Sequence, residues 1–136
     1  MATTQNNTTG KRRGVIASAL ALSVAATMAL GVGTAAAADI GTNVSIQRVE
    51  RPAQDVFKGF VTSPANKCIQ DRTVLLMRVA PGADTRLDRD RSEDNGSWAI
   101  DVEGGAPAGQ YYAKVRPKTV GADTCLGAKS ARVTVP

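Results

Sequence analysis

The chain of 136 residues contains no histidine. Histidine is the usual general base near neutral pH and a common metal ligand, so Ser–His and Cys–His nucleophilic sites are excluded. Aromatic residues make up 4% of the chain, one Trp, two Tyr and two Phe, which argues against a large apolar ligand cleft. Cysteine is limited to Cys68 and Cys125. Two thiols without histidine do not make a convincing metal site. Neither lies near the N-terminal segment, so no cysteine is placed there to carry a lipid anchor. After residue 38 no stretch shows the three-to-four-residue apolar spacing of an amphipathic helix. Catalysis would have to rest on carboxylates alone, and the reading is a protein that is not an enzyme and uses no cofactor and no metal.

What is present begins with a basic cluster, Lys11, Arg12 and Arg13, followed by an alanine-rich apolar run over 14–33. The small residues Ala36, Ala37 and Ala38 and the polar Asp39 come next. That order predicts a helical secretory signal peptide over residues 1–38, cleaved after Ala38. The run is long enough to span a bilayer, but its Ala, Gly, Ser and Thr make it weakly hydrophobic for a permanent anchor. Membrane contact is expected only through the leader before cleavage. Arg12-Arg13 fits either general secretory or twin-arginine export. The mature protein is therefore secreted, extracellular or associated with the cell envelope.

Cleavage leaves one domain, residues 39–136. Removing Lys11, Arg12 and Arg13 leaves 14 cations against 12 carboxylates, a net charge of +2 in place of +5. The case for a nucleic-acid partner largely disappears with those three residues. A domain of this size buries a modest core and benefits from a covalent staple. An even cysteine count in a secreted domain implies a disulfide, here Cys68–Cys125. Chain entropy sets its contribution at about 4 kcal/mol, a large share of the stability of a small domain.

Short alternating runs broken by Gly, Pro, Asn and Asp read as all-β. Seven strands are expected, near 43–49, 56–63, 72–79, 86–91, 98–103, 111–116 and 130–135. The third is apolar and central, and the fourth is polar and at an edge. Asp94-Asn95-Gly96 is a hairpin signal between the fourth and fifth, and Pro81-Gly82 ends the third. Seven short strands in such a length fit a two-sheet sandwich. Phe57-x-Gly59-x-Val61-x-Ser63, Arg72-x-Val74-x-Leu76, Asp94-x-Gly96-x-Trp98-x-Ile100 and Gly109-x-Tyr111-Tyr112-Ala113-x-Val115 resemble the bacterial immunoglobulin-like and prealbumin-like sandwich modules, including carboxypeptidase-regulatory-like domains. The resemblance covers 56–135 and consists of fold signals. It implies an accessory or binding domain of a secreted protein.

Three groups of residues are candidates for chemistry. Asp88, Asp90, Glu93 and Asp94 suggest calcium, but Glu93 stands where an EF-hand loop needs Gly and Ala99 where it needs the closing Glu. They read as a solvated edge strand and turn. Trp98 would stack on a sugar if exposed, yet it shares phase with Ile100 and Val102, which places it in the core. Tyr112, Lys114, Arg116 and Lys118 alternate onto one outward face, an aromatic and three cations able to hold an anionic polymer. The leading expectation is a secreted, non-enzymatic sandwich that binds an anionic cell-envelope polymer or another secreted protein. The alternative is a secreted protein inhibitor, using the 118–128 loop tied by Cys125, or a small-ligand carrier.

Overall fold

Alternation decides which residues meet. Phe57 and Val61 share one face of a strand, as do Trp98 and Ile100, Val74 and Leu76, and Tyr111, Ala113 and Val115; all are buried in one core. The structure is a computed structural model and describes residue 33 and residues 35–136. Most of the leader expected over residues 1–38 lies outside the described residues.

Twelve strand segments are formed among the described residues, where seven were expected. They are β1 (Asp39–Ile40), β2 (Asn43–Val44), β3 (Gln47–Arg51), β4 (Gln54–Thr62), β5 (Thr73–Arg78), β6 (Thr85–Arg91), β7 (Ser97–Glu103), β8 (Gly109–Val115), β9 (Lys118–Val120), β10 (Asp123–Cys125), β11 (Ala128–Lys129) and β12 (Val133–Val135). The only helical turn among the described residues is a 3-10 turn at Asn66–Cys68. The fold is an all-β sandwich. In one sheet β4 lies between β7 and the pair β2, β3. In the other, β5 is central between β6 and β8, and β11 and β12 both pair with the far edge of β8. Phe57 of the first sheet meets Tyr111 of the second with ring centroids 5.2 Å apart.

The larger count has two local causes. The first is a break in each of two edge strands. Between β2 and β3, Ser45 N–H donates to the Phe60 carbonyl while Ser45 Oγ, in place of a backbone carbonyl, accepts from Phe60 N–H at 2.9 Å. Between β11 and β12, Ser130 N–H donates to the Ala113 carbonyl and Ser130 Oγ accepts from Ala113 N–H at 2.8 Å. One serine device interrupts both ladders. The second cause is the 118–128 segment, which is a hairpin, β9–β10, extended in parallel by β1 into a third, small sheet.

The turn at 93–96 is tight, with Gly96 N–H donating to the Glu93 carbonyl and Ser97 N–H to Asn95 Oδ1. Gly96 takes φ +85°, and a Cβ there would stand 2.2 Å from the Val61 carbonyl, so only glycine fits. The strands it joins do not form the expected hairpin: β6 pairs with β5 and β7 with β4. The chain crosses between sheets here, as it must for Trp98 and Ile100 to face Val74 and Leu76.

Candidate functional site

β6 carries alternating charges, and the pleat sorts them. Asp88 and Asp90 pair with Leu76 and Val74 on the core side, whereas Arg89 and Arg91 pair with Leu75 and Thr73 on the outer side. A bulge between Leu76 and Met77 resets the phase. Leu87 then packs against the core, and Arg86, paired with Met77, joins the outer face. The acids are engaged locally: Asp90 Oδ2 accepts from Ala99 N–H of β7, and Asp88 Oδ1 from Arg89 N–H.

The register then builds a row no single strand displays. Arg89, Leu75, Lys114 and Lys129 are successive partners across β6, β5, β8 and β11. Four adjacent strands put the ends of this row about 14 Å apart. Leu75 at its centre is only 5% exposed, as expected where long aliphatic stems flank an apolar side chain. Arg86 extends the face on one side and the exposed Arg116, whose N–H bonds to the Thr73 carbonyl, on the other. Among the described residues, Arg86, Arg89, Lys114, Arg116 and Lys129 have no carboxylate within ion-pair distance.

The expected stripe differs at two positions. Tyr112 stands on the outer side, opposite Met77, but it is covered and only 6% exposed. Its hydroxyl donates to Asp84 Oδ2 at 2.7 Å, and Lys129 Nζ sits 5.6 Å from its ring centroid. The bond to Asp84 holds the Tyr112 phenol above its ordinary pKa, and the same bond, with Ala80 N–H, holds the Asp84 carboxyl below its own. Tyr112 is thus a platform beneath Lys129. Lys118 lies on β9, where its Nζ donates to the carbonyl and Oδ2 of Asp71, both at 3.1 Å. Arg91 bonds the other Asp71 oxygen, and the two cations depress the Asp71 pKa. Lys114 and Arg116 remain on the face. Arg86, Arg89 and Lys129 were missed, although Arg89 and Arg91 share odd parity against Asp88 and Asp90, a signal present in the sequence.

A second concentration of structure lies at one end of the sandwich. The Cys68–Cys125 disulfide, Cα–Cα 5.4 Å, joins the 63–72 connection to β10. Lys67 pairs with Asp123, whose other oxygen accepts from Ala38 N–H. Arg72 is fully buried, with no carboxylate partner among the described residues. Its guanidinium donates instead to Thr42 Oγ1 and to the carbonyls of Cys68, Arg116 and Leu126, at 2.6–3.0 Å. Burial works against its charge and lowers its pKa. Leu126 follows the disulfide, with its N–H on the Ile40 carbonyl and its side chain 41% exposed.

Comparison of the chain with protein-family models, curated proteins and solved structures finds no match.

Proposed function

We propose that this protein is a secreted, non-enzymatic immunoglobulin-like module that holds an anionic polymer of the cell envelope on the outer face of the β6–β5–β8–β11 sheet. The observation that carries the reading is the cross-strand row of Arg89, Lys114 and Lys129, flanked by Arg86 and Arg116, all without carboxylate partners among the described residues. Each cation is inexpensive to expose and weak alone, but several spaced a few ångströms apart on one face match a chain of repeating negative charge. The net charge of the mature chain is small, so binding of this kind depends on the segregation of cations to one face.

The immunoglobulin-like type is supported by pairing order. If β2 and β3 continue one strand position and β11 and β12 another, then A, B and E of an immunoglobulin sandwich correspond to β2–β3, β4 and β7. C, F and G correspond to β5, β8 and β11–β12, with β6 beside C. Tyr111 near the start of β8 donates its hydroxyl to the Pro107 carbonyl four residues upstream at 2.6 Å, the arrangement of a tyrosine corner. The disulfide is compatible with an oxidising, extracellular compartment, and the leader supports export.

The test is co-sedimentation of the purified mature chain with isolated cell envelope across a salt series. Retention should weaken steadily with salt and fall further in the Lys114→Ala/Lys129→Ala variant. Retention that ignores both overturns the reading. One observation favours inhibition as a second reading: Leu126 is exposed on a backbone fixed by Ile40, Arg72 and the adjacent disulfide. Saturable 1:1 inhibition of a secreted protease, lost in Leu126→Gly and intact in the lysine variant, distinguishes it.

A further inference from the structure

The opposite outer face, that of the β3–β4–β7 sheet, is chemically unlike the basic one. Where Ser45 interrupts the edge ladder, its carbonyl closes over Gly59, so near that a Cβ on Gly59 would stand 2.0 Å from it. The break opens a groove of about 860 Å³ in which Gln47, Lys58, Phe60, Ser97 and Asp90 line the walls, with Glu93 beside them. Phe60 is 52% exposed there, one of two large apolar side chains so exposed among the described residues. Its N–H and carbonyl are both held by Ser45, so the ring is presented from a fixed backbone.

The polar groups around that ring are of mixed kind. Gln47 both donates and accepts, Lys58 donates, and Asp90 and Glu93 accept. Asp90 has one oxygen committed to Ala99 N–H. Lys58 and Glu93 have no ion-pair partner among the described residues. Two carboxylates disfavour a polyanion, and a single exposed aromatic is too little for a wholly apolar ligand. A pyranose ring has the complementary chemistry: an apolar C–H face to lie on an aromatic ring, and a rim of hydroxyls that each donate and accept.

We propose that this groove is a binding site for an uncharged oligosaccharide, with Phe60 stacking on a sugar face and Gln47, Asp90 and Glu93 accepting from its hydroxyls. The site is independent of the basic face, and its failure is distinguishable from failure there.

The experiment is calorimetric titration of the purified mature chain with cellotetraose and with tetra-N-acetylchitotetraose, alongside the emission of Trp98, the only tryptophan, which lines the groove. At least one probe should bind saturably, shift that emission, and bind equally at low and high salt. Phe60→Ala should weaken binding about tenfold, while Phe60→Trp and Lys114→Ala/Lys129→Ala should retain it. Since Phe60 is exposed, Phe60→Ala should keep the parent melting temperature; Glu93→Ala, also exposed, provides an independent loss. No binding of either probe at about 10 mM overturns the proposal. So does binding that survives both Phe60→Ala and Glu93→Ala, or binding that salt and the lysine variant abolish.

Discussion

Arg72 shows how one side chain can organise a molecule through uncharged acceptors. Its guanidinium collects a hydroxyl and three carbonyls from four separate stretches of chain, those of Thr42, Cys68, Arg116 and Leu126. A planar fork of five donors suits this task, and an ammonium on a flexible stem does not. Arg72→Met would keep much of the volume but leave those acceptors unpaired in a dry site. It should cost about 3 kcal/mol or more in urea unfolding, and Arg72→Lys should recover only part of that. A cost below about 1 kcal/mol would mean that water replaces the guanidinium. Nothing in the sequence marks this role of Arg72, because three of its four partners are backbone carbonyls that any residue could supply, two of them more than 40 residues away. The burial of Tyr112 was hidden for a related reason: strand phase correctly set it on the outer side, but its hydroxyl partner is Asp84, 28 residues away in sequence.

At the scale of elements, the two serine breaks act alike on edges of different sheets. Each replaces a stretch of regular edge with a kink, which leaves short segments unsuited to pairing with another chain. Ser45→Ala removes the acceptor for Phe60 N–H, and Ser130→Ala the acceptor for Ala113 N–H. Each should lower stability by about 1 kcal/mol and raise the tendency to aggregate during refolding, followed by light scattering. Unchanged stability in both variants would show that the backbone re-forms a regular ladder. Much of the strand pattern was legible, because period-two alternation is local: Trp98 and Ile100 proved buried, β5 central and β6 at an edge. The breaks, the β9–β10 hairpin and the row Arg89–Leu75–Lys114–Lys129 were not, because each depends on register between strands distant in sequence.

For the whole molecule, charge sets a pH window. Asp71, Asp84 and Asp123 are all depressed below 3.8, by Arg91 and Lys118, by Tyr112 and Ala80, and by Lys67 and Ala38 respectively. A depressed carboxyl contributes stability that is present above its unfolded pKa and is lost as pH falls through its folded one. Tyr111, raised chiefly by burial, and Tyr112, raised chiefly by Asp84, titrate above 10.0. Their contribution is complete below the unfolded value and is lost as pH rises through the folded one. The melting temperature should therefore be level near neutrality, fall below about pH 4 and fall again above about pH 10. Asp71→Asn/Asp84→Asn/Asp123→Asn should flatten the acid limb, and an acid limb unchanged in that variant would locate the sensitivity elsewhere. The disulfide has a mechanical consequence at this scale. Cys68 and Cys125 are 57 residues apart in sequence, and a pull applied between residues 39 and 136 cannot lengthen the chain between them. Full extension would release about 140 Å of chain in place of about 330 Å, so β5 to β10 would stay out of the line of force while β1 to β4, β11 and β12, outside the crosslink, bear the load.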